Sequence, residues 1–285
     1  MRCLHALESQ VDAPDDMEVI VVCQENVRDV ALLKKQFPSA KFYPLSGRQT
    51  QDTLRGSGVS QARGDVIAIT VDHCNPDKHW CANIAKAHEG PYAAVGGAIE
   101  KGTQPDTLVN RAIHLYDYCN YAYYQNPIHA GPARDLSDCN ASYKRWALTA
   151  TADLWVGGFN VQSINRALLA RGETLWLSPD IVVQQNRTAK LGRAARIAYE
   201  RGRAFASSRL AHSTSGQRIF YSFFSPLLPL MFWKRLTVNL YQKSLLGQSL
   251  RALPLIGLFT ILWSLGEFSG YLAGRPDVTL AISDE

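Results

Sequence analysis

The 285 residues include six cysteines, yet no two stand in a C-x-x-C arrangement. That absence removes the sequence signature of zinc ribbons and thioredoxin-like redox sites, so zinc is not expected. The first 30 residues also lack an apolar core of roughly 7–15 residues behind a basic start, the pattern of a secretory signal. Free thiols in a reducing compartment are therefore expected. No charge-free run reaches the roughly 20 residues that cross a bilayer at right angles. The two strongly apolar runs, residues 219–233 and 252–266, have 15 each. Acid is nearly missing from residues 187–275, with 13 basic and 2 acidic side chains, against 17 and 20 in residues 1–186. Residues 276–285 have three acids and no base. With 46% hydrophobic and 19% charged residues the chain is not a disordered one.

What is present is an alternation. Residues 17–23 (MEVIVVC), 40–45, 65–71 (DVIAITV) and 92–99 (YAAVGGAI) are short apolar runs bounded by Gly, Pro or Asp. Residues 29–37, 48–63 and 80–88 between them have helical spacing. Strand and helix in turn predict an α/β domain with a mostly parallel sheet flanked by helices, over residues 1–186. Residues 138–148 read as a loop entering a helix, 161–171 as a helix, and 174–183 as a strand pair around Ser178, Pro179 and Asp180. Gly96 and Gly97 lack phosphate-loop spacing and imply close backbone packing. His79 and His88 are expected at the surface. The tyrosines at 116–124 suit either sugar stacking or a core and tail-docking face.

Residues 187–275 change character to a basic helix over 190–211, a linker at 213–216, and an apolar, aromatic helical tail over 217–274. Rings together with Lys and Arg suit the lipid headgroup layer, so a membrane-associating tail is expected. It would lie interfacially or use residues 252–272 as a shallow or single span. The competing arrangement is a helical pair packed on the α/β domain or on a second subunit. Nucleic acid is not expected as a partner, because a basic patch for it does not need long uncharged runs.

The strand at 65–71 ends in Asp72-His73. Ligands of open α/β sheets bind beyond the carboxyl ends of strands. A carboxylate and an imidazole there suit a divalent metal bridging a diphosphate, or else simply cap a turn. Cys74 and Cys139 lie nearby in the pattern and, without a basic partner in the local sequence, read as inert.

The segment from Ala62-Arg63-Gly64-Asp65 through the strand to Asp72-His73-Cys74-Asn75-Pro76, then Trp80, resembles the central segment of family-2 glycosyltransferases. Val95-Gly96-Gly97 resembles the next strand of that family. Asp138-Cys139-Asn140-Ala141-Ser142-Tyr143-Lys144-Arg145 is similar to its acceptor-side loop, and residues 172–183 to its closing strands. Residues 265–272 (LGEFSGYL) resemble a tail of its membrane-associated bacterial members. The resemblance covers roughly residues 15–275. It implies a GT-A fold and inverting transfer of a sugar from a nucleotide-diphosphate sugar to a glycan or lipid-linked acceptor. It also implies Mg²⁺ or Mn²⁺, and a place in polysaccharide biosynthesis at the cytoplasmic face of the inner membrane. Carried over by position, Asp72 and His73 fall on the metal and diphosphate motif. Asp138 and Asn140 fall on the acceptor loop.

The chain departs from that family pattern at three points. Residues 1–10 resemble the end of the first helix, so the first strand of the family would precede Met1. Val71 stands where an acid usually precedes the Asp-His pair. Val161 stands where the base carboxylate is usual. The base is then sought among Asp138, Asp153 and Asp180. The alternative is a non-catalytic relative that scaffolds a membrane glycan pathway.

Overall fold

The computed structural model describes residues 1–25, 30–103, 106–210 and 215–273. The acidic end at 276–285, the start of the helix expected at 29–37 and residues 213–214 of the linker lie outside the described residues, while residues 215–216 of that linker already belong to a helix. Two compact units are formed, one from Met1–Gly102 with Asn126–Asn186, the other from Thr103–Gln125 with Arg187–Glu285.

The first unit opens with α1 (Arg2–Glu8), β1 (Ile20–Gln24), α2 (Val30–Gln36), β2 (Lys41–Leu45) and α3 (Gln51–Gln61). It continues with β3 (Val66–Ile69), β4 (Cys74–Pro76), α4 (Trp80–His88) and β5 (Ala94–Lys101). After the excursion into the second unit through α5 (Leu108–Ile113) come β6 (Gly131–Ala133), β7 (Ala141–Lys144), α6 (Arg145–Ala150), α7 (Val161–Ala170) and β8 (Leu175–Gln185). The α/β class, with a sheet flanked by helices, holds. The pairing corrects the expectation of a mostly parallel sheet. β1 and β2 form a parallel pair of their own, in register Ile20 to Lys41. Among the described residues the larger sheet runs β3-β7-β5-β8-β4 with β6 also on β8, and of its pairs only β5–β8 is parallel. Apolar runs identify strands, but their direction depends on how the intervening chain returns, and β7 returns between β3 and β5.

Residues 174–183 are not two strands. β8 is continuous and bulged: Gly97 pairs with Ser178, and the next residue, Ala98, pairs with Val182. The two glycines of β5 make this arrangement fit. A Cβ on Gly97 would lie 1.8 Å from the Ile181 carbonyl oxygen, and one on Gly96 would lie 2.7 Å from Leu136 Cδ2. Gly97 therefore excludes any side chain, as close backbone packing requires, whereas at Gly96 the Leu136 side chain would have to shift and the Asn140 carbonyl oxygen stands at 3.0 Å. Residues 141–144 are a strand rather than loop, since both neighbours in the sheet offer ladder bonds. His88 is not at the surface. α4 buries it, its Nε2 sits 2.8 Å from Ser142 Oγ, and burial, with Lys144 adding to it, pushes its pKa down to about 4.

The second unit adds α8 (Leu191–Leu210), α9 (Ser215–Phe224), α10 (Leu228–Gln242), α11 (Leu246–Ser249) and α12 (Leu253–Ala273). A short 3₁₀ turn at Ser225–Leu227, with Pro226, joins α9 to α10. Its core gathers Leu115 and Tyr116 with Leu236, Leu240, Ile256 and Phe259. Of the two readings of the tyrosine cluster, packing against the tail is the one seen: Tyr121 stacks on Phe232 at 5.0 Å and Tyr116 meets Phe259 at 5.7 Å. Arg201 of the basic helix pairs with Asp117. That carboxylate holds the guanidinium pKa above its ordinary value against the opposing effect of burial. α8 and α12 touch backbone to backbone. A Cβ on Gly202 would lie 1.9 Å from the Trp263 carbonyl oxygen, and one on Gly266 would lie 2.0 Å from that of Tyr199.

Candidate active site

Antiparallel pairing of β3 with β7 sets Ile69 opposite Ala141. The chain leaving β3 therefore runs beside the chain entering β7. Asp72-His73 and Asp138-Cys139 arrive at the same edge, beyond the carboxyl end of β3, where ligands of such sheets bind. Thr70 Oγ1 donates to the Cys139 carbonyl at 3.0 Å and joins the two segments.

Asp72 projects outward, its side chain 96% exposed, with Oδ1 3.0 Å from His73 Nδ1. The imidazole turns inward, and its Nε2 is buried. Burial opposes the charged ring, but the Asp72 carboxylate and the Cys139 sulfur outweigh it, and the His73 pKa is pushed up to about 9. Beneath it lie two sulfurs. The donor atoms of His73, Cys74 and Cys139 are all within 4.8 Å of one another. The hydrogen-bonded Cys74 sulfur and complete burial hold the Cys139 thiol well above its ordinary range.

Asp138 stands on the other side of the edge. Its Oδ2 is held by Arg55 Nη2, whose side chain is only 14% exposed. Arg55 Nη1 reaches Asp52 Oδ1 at 3.0 Å, and Asn160 Nδ2 donates to Asp52 Oδ2 at 3.1 Å. One guanidinium thus bridges two carboxylates, a task for its planar fork of donors. The helix start explains the placement. Thr50 caps α3 by accepting from Thr53 N at 3.1 Å, and Asp52 in that first turn complements the helix dipole. Asn160 likewise caps α7, with Oδ1 3.0 Å from Ser163 N. The Phe159 amide donates to the Asp52 carbonyl at 2.7 Å, which fastens the loop before α7 to α3.

Asn140 is buried, and its amide is fully engaged. Its Oδ1 accepts from Trp80 Nε1 at 2.8 Å, and its Nδ2 donates to the carbonyls of Ala98 and Ile181, each at 2.9 Å. It holds the β8 bulge from the inside, and Asp180 is exposed on the outside of that bulge. Asp153 is exposed on a short 3₁₀ turn after α6. Val161 is buried as the first residue of α7. Sequence reasoning missed Asp52, Arg55 and Asn160. The i, i+3 spacing of Asp52 and Arg55 on an otherwise polar helix was the available signal.

The family model described as Glycosyl transferase family 2 matches residues 1–150. No curated protein matches the chain by sequence. Among solved structures, the mannosyltransferase PcManGT from Pyrobaculum calidifontis, in complex with GDP-Man and Mn²⁺, is 15% identical with a TM-score of 0.55. The similarity covers 93% of this chain and 81% of that one. GalNAc-T7 with UDP, GalNAc and Mn²⁺ is 13% identical with a TM-score of 0.46, over 66% of this chain and 40% of that one.

Proposed function

This chain belongs to glycosyl transferase family 2, and from that membership we propose that it moves a sugar from a nucleoside-diphosphate sugar to an acceptor hydroxyl. The observation that carries this reading is that two carboxylates, Asp72 and Asp138, stand at one edge of the sheet, beyond the carboxyl end of β3. Asp72 lies on the donor side. A hard, exposed carboxylate fits Mg²⁺ or Mn²⁺, ions that complete their shells with diphosphate oxygens and water. Such an ion supplies neutralisation of the departing diphosphate. The His73 ring positions Asp72 rather than facing the edge itself. Asp138 lies on the acceptor side and takes the hydroxyl proton as the sugar is transferred. Arg55 sets its orientation. An inverting outcome and a lipid-linked or glycan acceptor are the finer parts of the same reading.

Isothermal titration with UDP and with GDP, each with Mn²⁺, tests it. Heat of binding from one nucleotide is expected, abolished in Asp72→Ala. A folded protein that gives no heat with either would point instead to the scaffold role that Val71 and Val161 allow.

We also propose that the second unit rests on an anionic membrane surface at the cytoplasmic face. From α9 to α10, Phe220, Phe223, Phe224, Leu227, Leu230 and Met231 recur at helical spacing and are exposed, Phe223 by 75% and Leu230 by 69%. Exposed Lys234 and Arg235 follow on the same stripe. The opposite face of α10 is occupied, because Leu236 and Leu240 sit in the core. Leu246–Ala273 is apolar enough to cross a bilayer, with mean hydropathy 1.5, but 44% of its most apolar window is buried inside the protein. That favours lying on the surface over spanning. Burying a Phe or Leu side chain stabilises by roughly 1.5–3 kcal/mol. Phe223→Ser with Leu230→Ser is therefore expected to weaken binding to phosphatidylglycerol-rich vesicles by about 30-fold or more in co-sedimentation. Unchanged binding would remove this face as the contact.

A further inference from the structure

We infer that His73, Cys74 and Cys139 form a zinc site, buried under the catalytic edge and separate from the carboxylate that faces the donor. Two sulfurs and one imidazole nitrogen are the donor set that selects zinc among biological divalent ions, whereas Mg²⁺ and Mn²⁺ prefer oxygen. The three donor atoms already lie within 4.8 Å of one another. Tetrahedral zinc, with bonds of about 2.0–2.3 Å, needs them roughly 3.5–3.8 Å apart. Closing the site requires side-chain adjustments of about an ångström.

Three further observations favour a built site. First, each backbone is tied in place. Cys74 N donates to the Val71 carbonyl at 2.9 Å and Asn186 N to the His73 carbonyl at 2.7 Å, and Thr70 Oγ1 donates to the Cys139 carbonyl at 3.0 Å. Second, Asp72 sits on His73 Nδ1 at 3.0 Å. That is the carboxylate–histidine arrangement that fixes the tautomer of a ligating ring and leaves Nε2 for the metal. Third, Cys74 and Cys139 are 0% and 4% exposed. Two thiolates with one Zn²⁺ are neutral overall, so such a site is compatible with burial where either thiolate alone is not. The ion takes the place of the two thiol protons, which leave to solvent. Three protein donors leave one tetrahedral position to water. Loop 135–140 and the end of β3 are then cross-linked through the metal, which gives Asp72 and Asp138 a common rigid base.

The test is metal content of the full chain after dialysis against a moderate chelator, together with the absorption spectrum of the Co²⁺-loaded protein. About one zinc per chain is expected, with a thiolate-to-cobalt charge-transfer band after exchange. Cys74→Ser and Cys139→Ser should each lower zinc content at least tenfold, and Cys23→Ser should leave it unchanged. If the serine variants do not fold, the cobalt spectrum of the unaltered chain decides alone. A cobalt spectrum without thiolate bands, or zinc below a tenth per chain, overturns the site. So does a Cys74–Cys139 disulfide found by peptide mass spectrometry in freshly prepared protein. None of these readouts needs nucleotide binding or turnover, so the zinc site and the transferase reading fail independently.

Discussion

Asp138→Asn should lower kcat by about 10²–10⁴-fold, the range lost with a general base, while nucleotide binding stays within about threefold. Asparagine keeps the size of the side chain and one acceptor oxygen, but it cannot take a proton. The transferred proton then has no carboxylate on the acceptor side of the edge. Arg55→Lys should give a smaller loss, on the order of tenfold, because one ammonium cannot bridge Asp138 and Asp52 as the guanidinium does. Steady-state kinetics that separate kcat from KM distinguish these outcomes from a simple loss of acceptor affinity. Asp153→Asn and Asp180→Asn serve as comparisons, each expected within about threefold of the parent. A larger loss at Asp180 than at Asp138 would transfer the base to the β8 bulge.

A single methyl group at Gly266 should disrupt the second unit. The added Cβ would stand 2.0 Å from the Tyr199 carbonyl oxygen, and its counterpart at Gly202 would stand 1.9 Å from that of Trp263. Both clashes are with main chain, so no rotamer change relieves them and the helices must part. Overpacking of this kind costs about 1–3 kcal/mol, and contacts with backbone put it at the upper end. Gly270 completes a small-residue ridge on α12, with Ala206 Cβ 2.7 Å from its own missing methyl. That is how small residues let helices approach closely. Gly266→Ala is therefore expected to destabilise by about 3 kcal/mol, and hydrogen exchange over residues 253–273 should quicken accordingly. Gly192→Ala, in the same α8 but with nothing within 4 Å, should be neutral or stabilising by up to about 1 kcal/mol. Equal effects at the two positions would refute close helix contact.

Apart from β4 (Cys74–Pro76), a three-residue strand that owes its pairing to β8, the alternation of strand and helix through β5 was legible because apolar runs there are bounded by Gly, Pro and Asp. β7 was not, since Ala141-Ser142-Tyr143-Lys144 contains no β-branched residue and becomes a strand only between β3 and β5. The β8 bulge escaped for a related reason: its cause is Gly97 on another strand. At the site, motif order brought Asp72, His73 and Asp138 together. The partners of Asp138 and Asp52 escaped because they are 83 and 108 positions away along the chain. The sulfurs of Cys74 and Cys139 were read as inert from local sequence alone. Their relation to His73 exists only once β3 and β7 are side by side.

The second unit is assembled from two stretches of chain that the ribosome delivers far apart in time. Tyr116 precedes Phe259, its neighbour in the core, by 143 residues. At about 5–20 residues per second, Leu115 and Tyr116 wait roughly 7–30 seconds for the helices that cover them. The first unit has its last strand, β8, within that interval. The apolar and tyrosine side chains of residues 108–125 therefore emerge well before the helices that bury them in the finished unit.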